Sequence, residues 1–368
     1  MIIFTSICAN YLHKARTLAK SVKENVPGAT FIVCLLEKDI PDSAPFEYFD
    51  EIVLAKDAWE GNFERFIFKH TIVEASTSVK GQFFRYLFKR YEGENQFIYL
   101  DPDVYVYSDL IELKEILREK PIVLCPHLLQ PGNIDMELSS TAHGVYNLGF
   151  LAVNNSQEAK DFINWWADRL FLFCYDDIGK GIFTDQKWID LAPCFFNVEI
   201  LKHRGYDFAP WSLLDCGMYK QDDSVYIKGD KLRFIHFSGF GACTEECMRK
   251  WLPAGDHIFK ELYAGYSRTH QLNDLDNVSK TKWSYSVYSS GEKIKDEVRL
   301  KYRANYDIMF LCDNPFEKSN IFYENIIENR FSINYSNIKI YFQKAREVYK
   351  REGLEALVEK VKSKIINK

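Results

Sequence analysis

Apolar strand-like runs alternate with helical spacing through the first ~120 residues of this 368-residue chain, and that alternation leaves few architectures open. Ile2 to Thr5 reads as a strand. Leu12, Ala15, Ala19 and Val22 then recur at helical spacing. Pro27-Gly28 turns the chain into an apolar run, Thr30 to Leu36, suited to a central strand. Glu51 to Ala55 is a shorter strand, and a helical region covers Asn62 to Tyr91 with a break expected near Gly81. The run Phe97-Ile98-Tyr99-Leu100 is a further strand, and Pro121 to Cys125 another. The pattern predicts an α/β fold with a mostly parallel sheet. Residues 1–255 are expected to form that domain and residues 256–368 a mainly helical C-terminal extension.

Downstream, Asp109 is placed as the cap of a helix running to Glu119. Residues 126–143 read as a loop around Pro131-Gly132. Val145 to Val153 returns to strand character, and Ser156 caps a helix to about Cys174. A short helix starts near Thr184, and Lys231 to Phe237 is the last clear strand.

Composition narrows the function classes. Hydrophobic content of 47% and charged content of 27% fit a globular protein with a sizeable core. A net charge of −5 carries no basic excess, which argues against a nucleic-acid partner. The 15% aromatic content is high and is best explained by a bulky core. Nine cysteines, several in apolar runs, fit buried thiols in a reducing compartment. Cys243 and Cys247 lack a second ligand pair and read as structural. Met1-Ile2-Ile3-Phe4 opens on a strand, without signal-peptide form, and no apolar run approaches membrane-spanning length. A cytoplasmic protein is expected.

Asp101-Pro102-Asp103 follows the strand Phe97 to Leu100 directly. Two carboxylates one residue apart can share Mg²⁺ or Mn²⁺, with phosphate oxygens completing the shell. A polar turn is the plainer reading of a bare D-x-D, and Asp274-Leu275-Asp276 repeats the spacing in a polar stretch where it earns no role. The position at a strand's carboxyl end, where open α/β sheets collect ligands, favours a metal site for the first copy. Ser6 to Asn10 lie at a similar end.

Other candidates are weighed the same way. His236 shares a strand face with Leu232 and Phe234, as a core histidine would. Ser238-Gly239-Phe240-Gly241 follows at once, and glycines let a backbone approach phosphate, so His236 is a sensible third ligand. Asn147 and Gly149 sit in Val145-Tyr146-Asn147-Leu148-Gly149-Phe150, where a structural bulge competes with sugar binding. Asp185 and Gln186 follow Thr184 at a helix start, a position that needs no function. Lys80 and Arg85 could both neutralise a diphosphate. A solvated cation is the stronger reading for Lys80 and the weaker one for Arg85, which aromatics flank.

The order of these segments resembles the GT-A glycosyltransferases, closest in motif order to the family 8 type, glycogenin-like and bacterial lipopolysaccharide galactosyltransferase-like. Ser6 to Tyr11, Tyr99-Leu100-Asp101-Pro102-Asp103, Tyr146-Asn147-Leu148-Gly149-Phe150, Thr184-Asp185-Gln186 and His236-Phe237-Ser238-Gly239 carry the resemblance over about residues 1–260. The stretch Asp185 to Leu191 is also similar to a segment of bacterial polysaccharide-assembly transferases. The resemblance implies a Rossmann-like nucleotide-diphospho-sugar domain that binds a nucleotide sugar, mostly a UDP-sugar, with Mn²⁺ or Mg²⁺. It implies Asp101, Asp103 and His236 as metal ligands, and Ser6, Ala9 and Tyr11 beside base and ribose. Arg85 and Gly239 would face the donor diphosphate, and Asn147, Asp185 and Gln186 the transferred sugar. The acceptor would be a saccharide or lipid-linked glycan, and family 8 enzymes retain anomeric configuration; Asn147, Asp185 and Gln186 are the candidate catalytic residues, and Asp185 is the candidate base if the transfer inverts. Two departures stand out. Pro102 replaces the frequent small middle residue, and Phe240-Gly241-Ala242 replaces the usual lysine-proline-tryptophan continuation.

Three rivals compete. A haloacid-dehalogenase-like phosphatase carries its Asp-x-Asp near the domain start with Thr or Val two residues on, where this chain has Tyr105. A nucleotidyltransferase carries a Gly-rich loop after its first strand, and Ser6 to Tyr11 has no glycine. A sugar-binding or scaffolding protein of the same fold is the non-enzyme alternative. Residues 339–368 hold nine Lys or Arg and four Glu, with Leu354, Leu357, Val358, Val361 and Ile365 on one helical face. That helix docks on the domain or lies peripherally on the inner membrane surface.

Overall fold

The computed structural model describes residues 1–42, 47–253, 255, 258–305, 309 and 312–317. Contacts divide the chain into two units, residues 1–59 with 73–283, and residues 60–72 with 284 onward. The helix Ile258–Asn273, assigned by pattern to the extension, packs in the first unit. The expected basic helix at 339–368 lies outside the described residues.

The first unit is built on a seven-stranded sheet. Its elements in chain order are β1 (Ile2–Ile7), α1 (Leu12–Asn25), β2 (Thr30–Leu35) and β3 (Glu51–Leu54). After α2 (Phe63–Phe68), which belongs to the second unit, come α3 (Ile72–Ser78), α4 (Lys80–Arg90), β4 (Gln96–Leu100) and β5 (Val104–Val106). Then follow α5 (Ile111–Ile116), β6 (Ile122–Leu124), α6 (Ile134–His143), β7 (Phe150–Asn154) and α7 (Gln157–Phe173). The strand Val198–Ile200 joins the edge beyond β6, giving the order Val198–Ile200, β6, β7, β4, β1, β2, β3. β4, β1, β2 and β3 run parallel, and β7 alone is antiparallel to its neighbours β4 and β6. The sheet is Rossmann-like, mixed and mostly parallel, with helices against it, as the alternating pattern predicts.

Burial explains why the strands were readable. All six residues of β1 and the last five of β2 are buried, as strands covered on both faces must be. Helix α1 presents Leu12, Ala15, Leu18, Ala19 and Val22 to the same core. Ser156 caps α7 by accepting from the Ala159 N–H, worth about 1 kcal/mol. The expected break at Gly81 falls instead between Ser78 and Lys80. Gly81 lets α4 approach α7, because a Cβ there would stand 2.7 Å from Ala167 Cα.

Three further boundaries differ. Residues 134–143, expected as loop, form α6, capped by Asn133, which accepts from the Asp135 and Met136 N–H groups. Asp109 lies one residue outside the cap of α5 and accepts instead from the Leu110 N–H. The last strand is split into Asp230–Lys231 and Phe234–His236. The latter leaves the main sheet and pairs antiparallel with β5, in register Phe234 to Val106 and His236 to Val104.

The second unit packs α2 with a helix Asp296–Ala304. Arg299 is buried there and donates to the carbonyls of Phe68 and Tyr285, at 2.9 and 2.5 Å. Phe68 meets Tyr302 edge-on at 4.9 Å. No helix among the described residues is long and apolar enough to cross a membrane.

Candidate metal centre

Asp101 and Asp103 bracket a proline turn between two sheets. The Asp101 N–H still bonds to Gly149 O at 2.8 Å, the last rung between β4 and β7. Pro102 has no N–H to continue that ladder. The chain turns, the Val104 N–H bonds back to Asp101 O at 3.0 Å, and β5 starts in the small sheet. Its partner strand ends on His236, and the Phe237 N–H bonds to Asp103 O at 2.9 Å. Strand register thus carries a residue 133 positions away to the acidic turn.

The three side chains converge. His236 Nε2 lies 3.2 Å from Asp103 Oδ1 and 3.7 Å from Asp101 Oδ2. One ligand atom from each residue falls within 4.8 Å of the others, so a single divalent ion can be shared. Two carboxylates and an imidazole suit Mn²⁺ or Mg²⁺ with open positions left for phosphate or water. Burial alone would lower the His236 pKa, but Asp103 and Asp207 outweigh it and hold the ring well above its ordinary value. Burial would raise Asp103, and His236 with Lys14 pulls it below instead.

The surroundings fix these side chains. Tyr99 donates its hydroxyl to Asp101 Oδ1 at 2.5 Å. Ser6 donates to Ser76 O at 2.7 Å, and its hydroxyl reaches Tyr99 only at 3.4 Å. Lys80, the first residue of α4, is buried and not solvated. Its ammonium lies 2.9 Å from Asp185 Oδ2 and 3.5 Å from Asp101 Oδ1, donates to Leu148 O at 3.0 Å, and sits over the Tyr99 ring. Burial would lower the Lys80 pKa, but Asp101 and Asp185 hold it well above normal. Burial raises Asp185 against the pull of Lys80.

On the other side of His236, Nδ1 lies 3.1 Å from Asn147 Nδ2 and 3.5 Å from Asp207 Oδ1. Asp207 is buried, sits at a left-handed φ of 51°, and burial pushes its pKa up. Neither of its oxygens has a hydrogen-bond partner among the described residues. No sequence motif marked it.

The remaining candidates divide. Asn147 reaches the site through His236, its own Oδ1 accepting from the Gly149 N–H at 3.0 Å. Gln186 is occupied by backbone at both ends, accepting from the Leu148 N–H at 3.0 Å and donating to His143 O at 3.2 Å. Ala9 donates its N–H to buried Glu37 at 2.8 Å, and Tyr11 is exposed at the start of α1. Gly239 adopts a left-handed φ of 66°, and a Cβ there would stand 2.8 Å from Cys243, so a turn already accounts for it. Arg85 points elsewhere: it donates to Asn164 and Asp168 on α7, at 2.8 and 3.0 Å, because its helix face meets α7. Lys80, not Arg85, is the cation beside Asp101. Asp274 bonds to the backbone and hydroxyl of Ser279, a turn role that separates it from the first Asp-x-Asp.

No family model matches the chain. It is 26% identical over 182 residues to the uncharacterized protein YfnD of Bacillus subtilis (strain 168), covering 48% of this chain and 57% of YfnD. It is 27% identical over 180 residues to the uncharacterized protein YfnF of the same organism, covering 44% of this chain and 58% of YfnF. The matches thus span a little over half the length of these relatives. Among solved structures, it is similar to the galactosyltransferase LgtC in complex with donor and acceptor sugar analogs, with TM-score 0.44 and 16% identity over 72% of this chain and 96% of that one. It is also similar to a glycosyltransferase involved in glycosylation of the major capsid of PBCV-1, with TM-score 0.39 and 11% identity over 67% and 98%.

Proposed function

We propose that this chain is a metal-dependent glycosyltransferase of GT-A type. It moves a sugar from a nucleotide-diphosphate donor, a UDP-sugar, to a saccharide or lipid-linked glycan acceptor in surface polysaccharide assembly. The carrying observation is the convergence of Asp101, Asp103 and His236 at the carboxyl end of β4. A cytoplasmic location belongs to the same proposal.

Mn²⁺ or Mg²⁺ held by these three residues would supply Lewis-acid stabilisation of the leaving diphosphate. The chain's own residues do the positioning. Tyr99 and Lys80 orient Asp101, and strand pairing orients His236. Lys80 also brings Asp185 within reach of the same centre. Transfer with inversion needs a carboxylate base. Asp185 is 2% exposed and paired with the Lys80 ammonium at 2.9 Å, so an acceptor hydroxyl has little access to it, which supports a retaining course. In that course the leaving phosphate itself takes the acceptor proton.

The test is a screen of nucleotide sugars for Mn²⁺-dependent release of the nucleoside diphosphate, with Asp101→Asn and Asp103→Asn as controls. Both variants should stay folded and lose activity. Full activity in EDTA sinks the proposal. Turnover of p-nitrophenyl phosphate, or of a nucleoside triphosphate with a sugar phosphate, would replace it with a phosphatase or a nucleotidyltransferase. Nucleotide-sugar binding without turnover would leave a binding protein.

A further inference from the structure

A sugar nucleotide brings the two negative charges of its diphosphate to a centre that already holds Asp101 and Asp103. One divalent ion offsets half of that charge, and a cation with an open face must meet the rest. Lys80 cannot, because it is 1% exposed and its ammonium is occupied by Asp185, Leu148 O and Asp101. His236 is buried with Nε2 turned to the acidic pair, where it would hold the ion. Arg85 is committed to α7. The turn Ser238-Gly239-Phe240-Gly241-Ala242 has no cationic side chain.

Lys14 is placed differently. It lies in the first turn of α1, and its Nζ is 3.9 Å from Asp103 Oδ2. That distance is too long for a hydrogen bond, so the attraction leaves the ammonium's donors unspent. Among the described residues no acceptor takes a hydrogen bond from it. Nζ stands 4.2 Å from the centroid of the exposed Tyr11 ring, a cation–π contact that steadies the stem. The side chain is 15% exposed, enough to meet a ligand entering over the acidic turn.

We infer that Lys14 binds the diphosphate of the donor, an inference that rests on the nucleotide-sugar reading above. Lys14 repels a bare metal ion and attracts a metal-bound diphosphate. The two effects have opposite signs, whereas loss of a lysine that served only packing would weaken metal, diphosphate and nucleoside binding together.

The experiment compares native protein with Lys14→Gln and Lys14→Arg, all full-length. Mn²⁺ binding without nucleotide is read by electron paramagnetic resonance. Binding of UDP, UMP and uridine is read by calorimetry in saturating Mn²⁺. Lys14→Gln should bind Mn²⁺ about threefold more tightly, because a positive charge near Asp103 is gone. It should bind UDP about tenfold more weakly, UMP less affected and uridine unchanged, with Lys14→Arg restoring most of the UDP affinity. UDP affinity equal in native and Lys14→Gln protein overturns the role of Lys14 alone. Parallel weakening of Mn²⁺, UDP and uridine overturns it in favour of a structural role. A native protein that binds Mn²⁺ but not UDP overturns the donor reading and this inference with it.

Discussion

Gly149 stands where any side chain would strike His236. A Cβ on it would lie 2.3 Å from His236 Cε1 and 2.4 Å from Nδ1. The glycine ahead of β7 therefore serves the histidine and needs no sugar to explain it. Gly149→Ala should displace the ring, weaken Mn²⁺ binding at least about tenfold, and cost roughly 1–3 kcal/mol through overpacking. Thermal unfolding and Mn²⁺ titration check this. In a His236→Ala background the same substitution should cost little. An equal cost in both backgrounds would remove the contact as the cause.

Asp207 turns the other face of that ring. Its Oδ1 lies 3.5 Å from Nδ1, and metal-bound histidines commonly donate their second N–H to a carboxylate. Asp207→Asn keeps the volume and removes the charge. We expect a loss of about 10–100-fold in Mn²⁺ affinity. The cost to stability should be small, because a buried carboxylate without other hydrogen bonds is itself unfavourable. Unchanged Mn²⁺ affinity would show that Asn147 alone positions the ring.

Much of this was legible in the sequence, and the losses have physical causes. β1, β2 and β4 were visible because strands buried on both faces become continuous apolar runs. Asp101, Asp103 and His236 were found because a strand end, a paired acid and a glycine turn are each local signals. α6 was missed because none of its residues is buried, so it carries no apolar stripe. Lys80 reads as a solvated cation from the sequence, and the structure buries it. Flanking aromatics suggested burial at Arg85, but which face of α4 meets the core is a tertiary outcome, and it buries Lys80. Asp207 had no signal, because its role depends on a turn brought beside β5's partner strand. The basic segment 339–368 lies outside the described residues.

The Lys80–Asp185 pair should behave as a buried ion pair. Lys80→Met leaves Asp185 and Asp101 without their ammonium and should cost about 3–5 kcal/mol at neutral pH. Asp185 already has its folded pKa raised by burial, so its protonation favours the folded state as pH falls. The deficit of Lys80→Met should therefore shrink from pH 7.5 to pH 5.5 in urea titrations. Adding Asp185→Asn should recover part of it at pH 7.5. A deficit that ignores both pH and the second substitution would mean lost packing, not stranded charge.

His13 should set an acid limit on stability. It is buried on α1, its ring 4.5 Å from that of His270. Burial first and then His270 push its pKa down to about 4; Asp274 opposes them, and Lys14 and the Asn10 backbone make smaller, opposite contributions. Unfolded, the same ring titrates near pH 6.5. The unfolded chain thus takes up the proton first. Its stabilising effect is whole above pH 6.5, declines as pH falls, and is gone near pH 4. Between pH 7 and pH 5 the native protein should lose about 2 kcal/mol more than His13→Gln. His127, also held near 4 chiefly by burial, adds a slope that both proteins share. Denaturant midpoints at the two pH values measure the difference, and parallel losses in both proteins would take the effect away from His13.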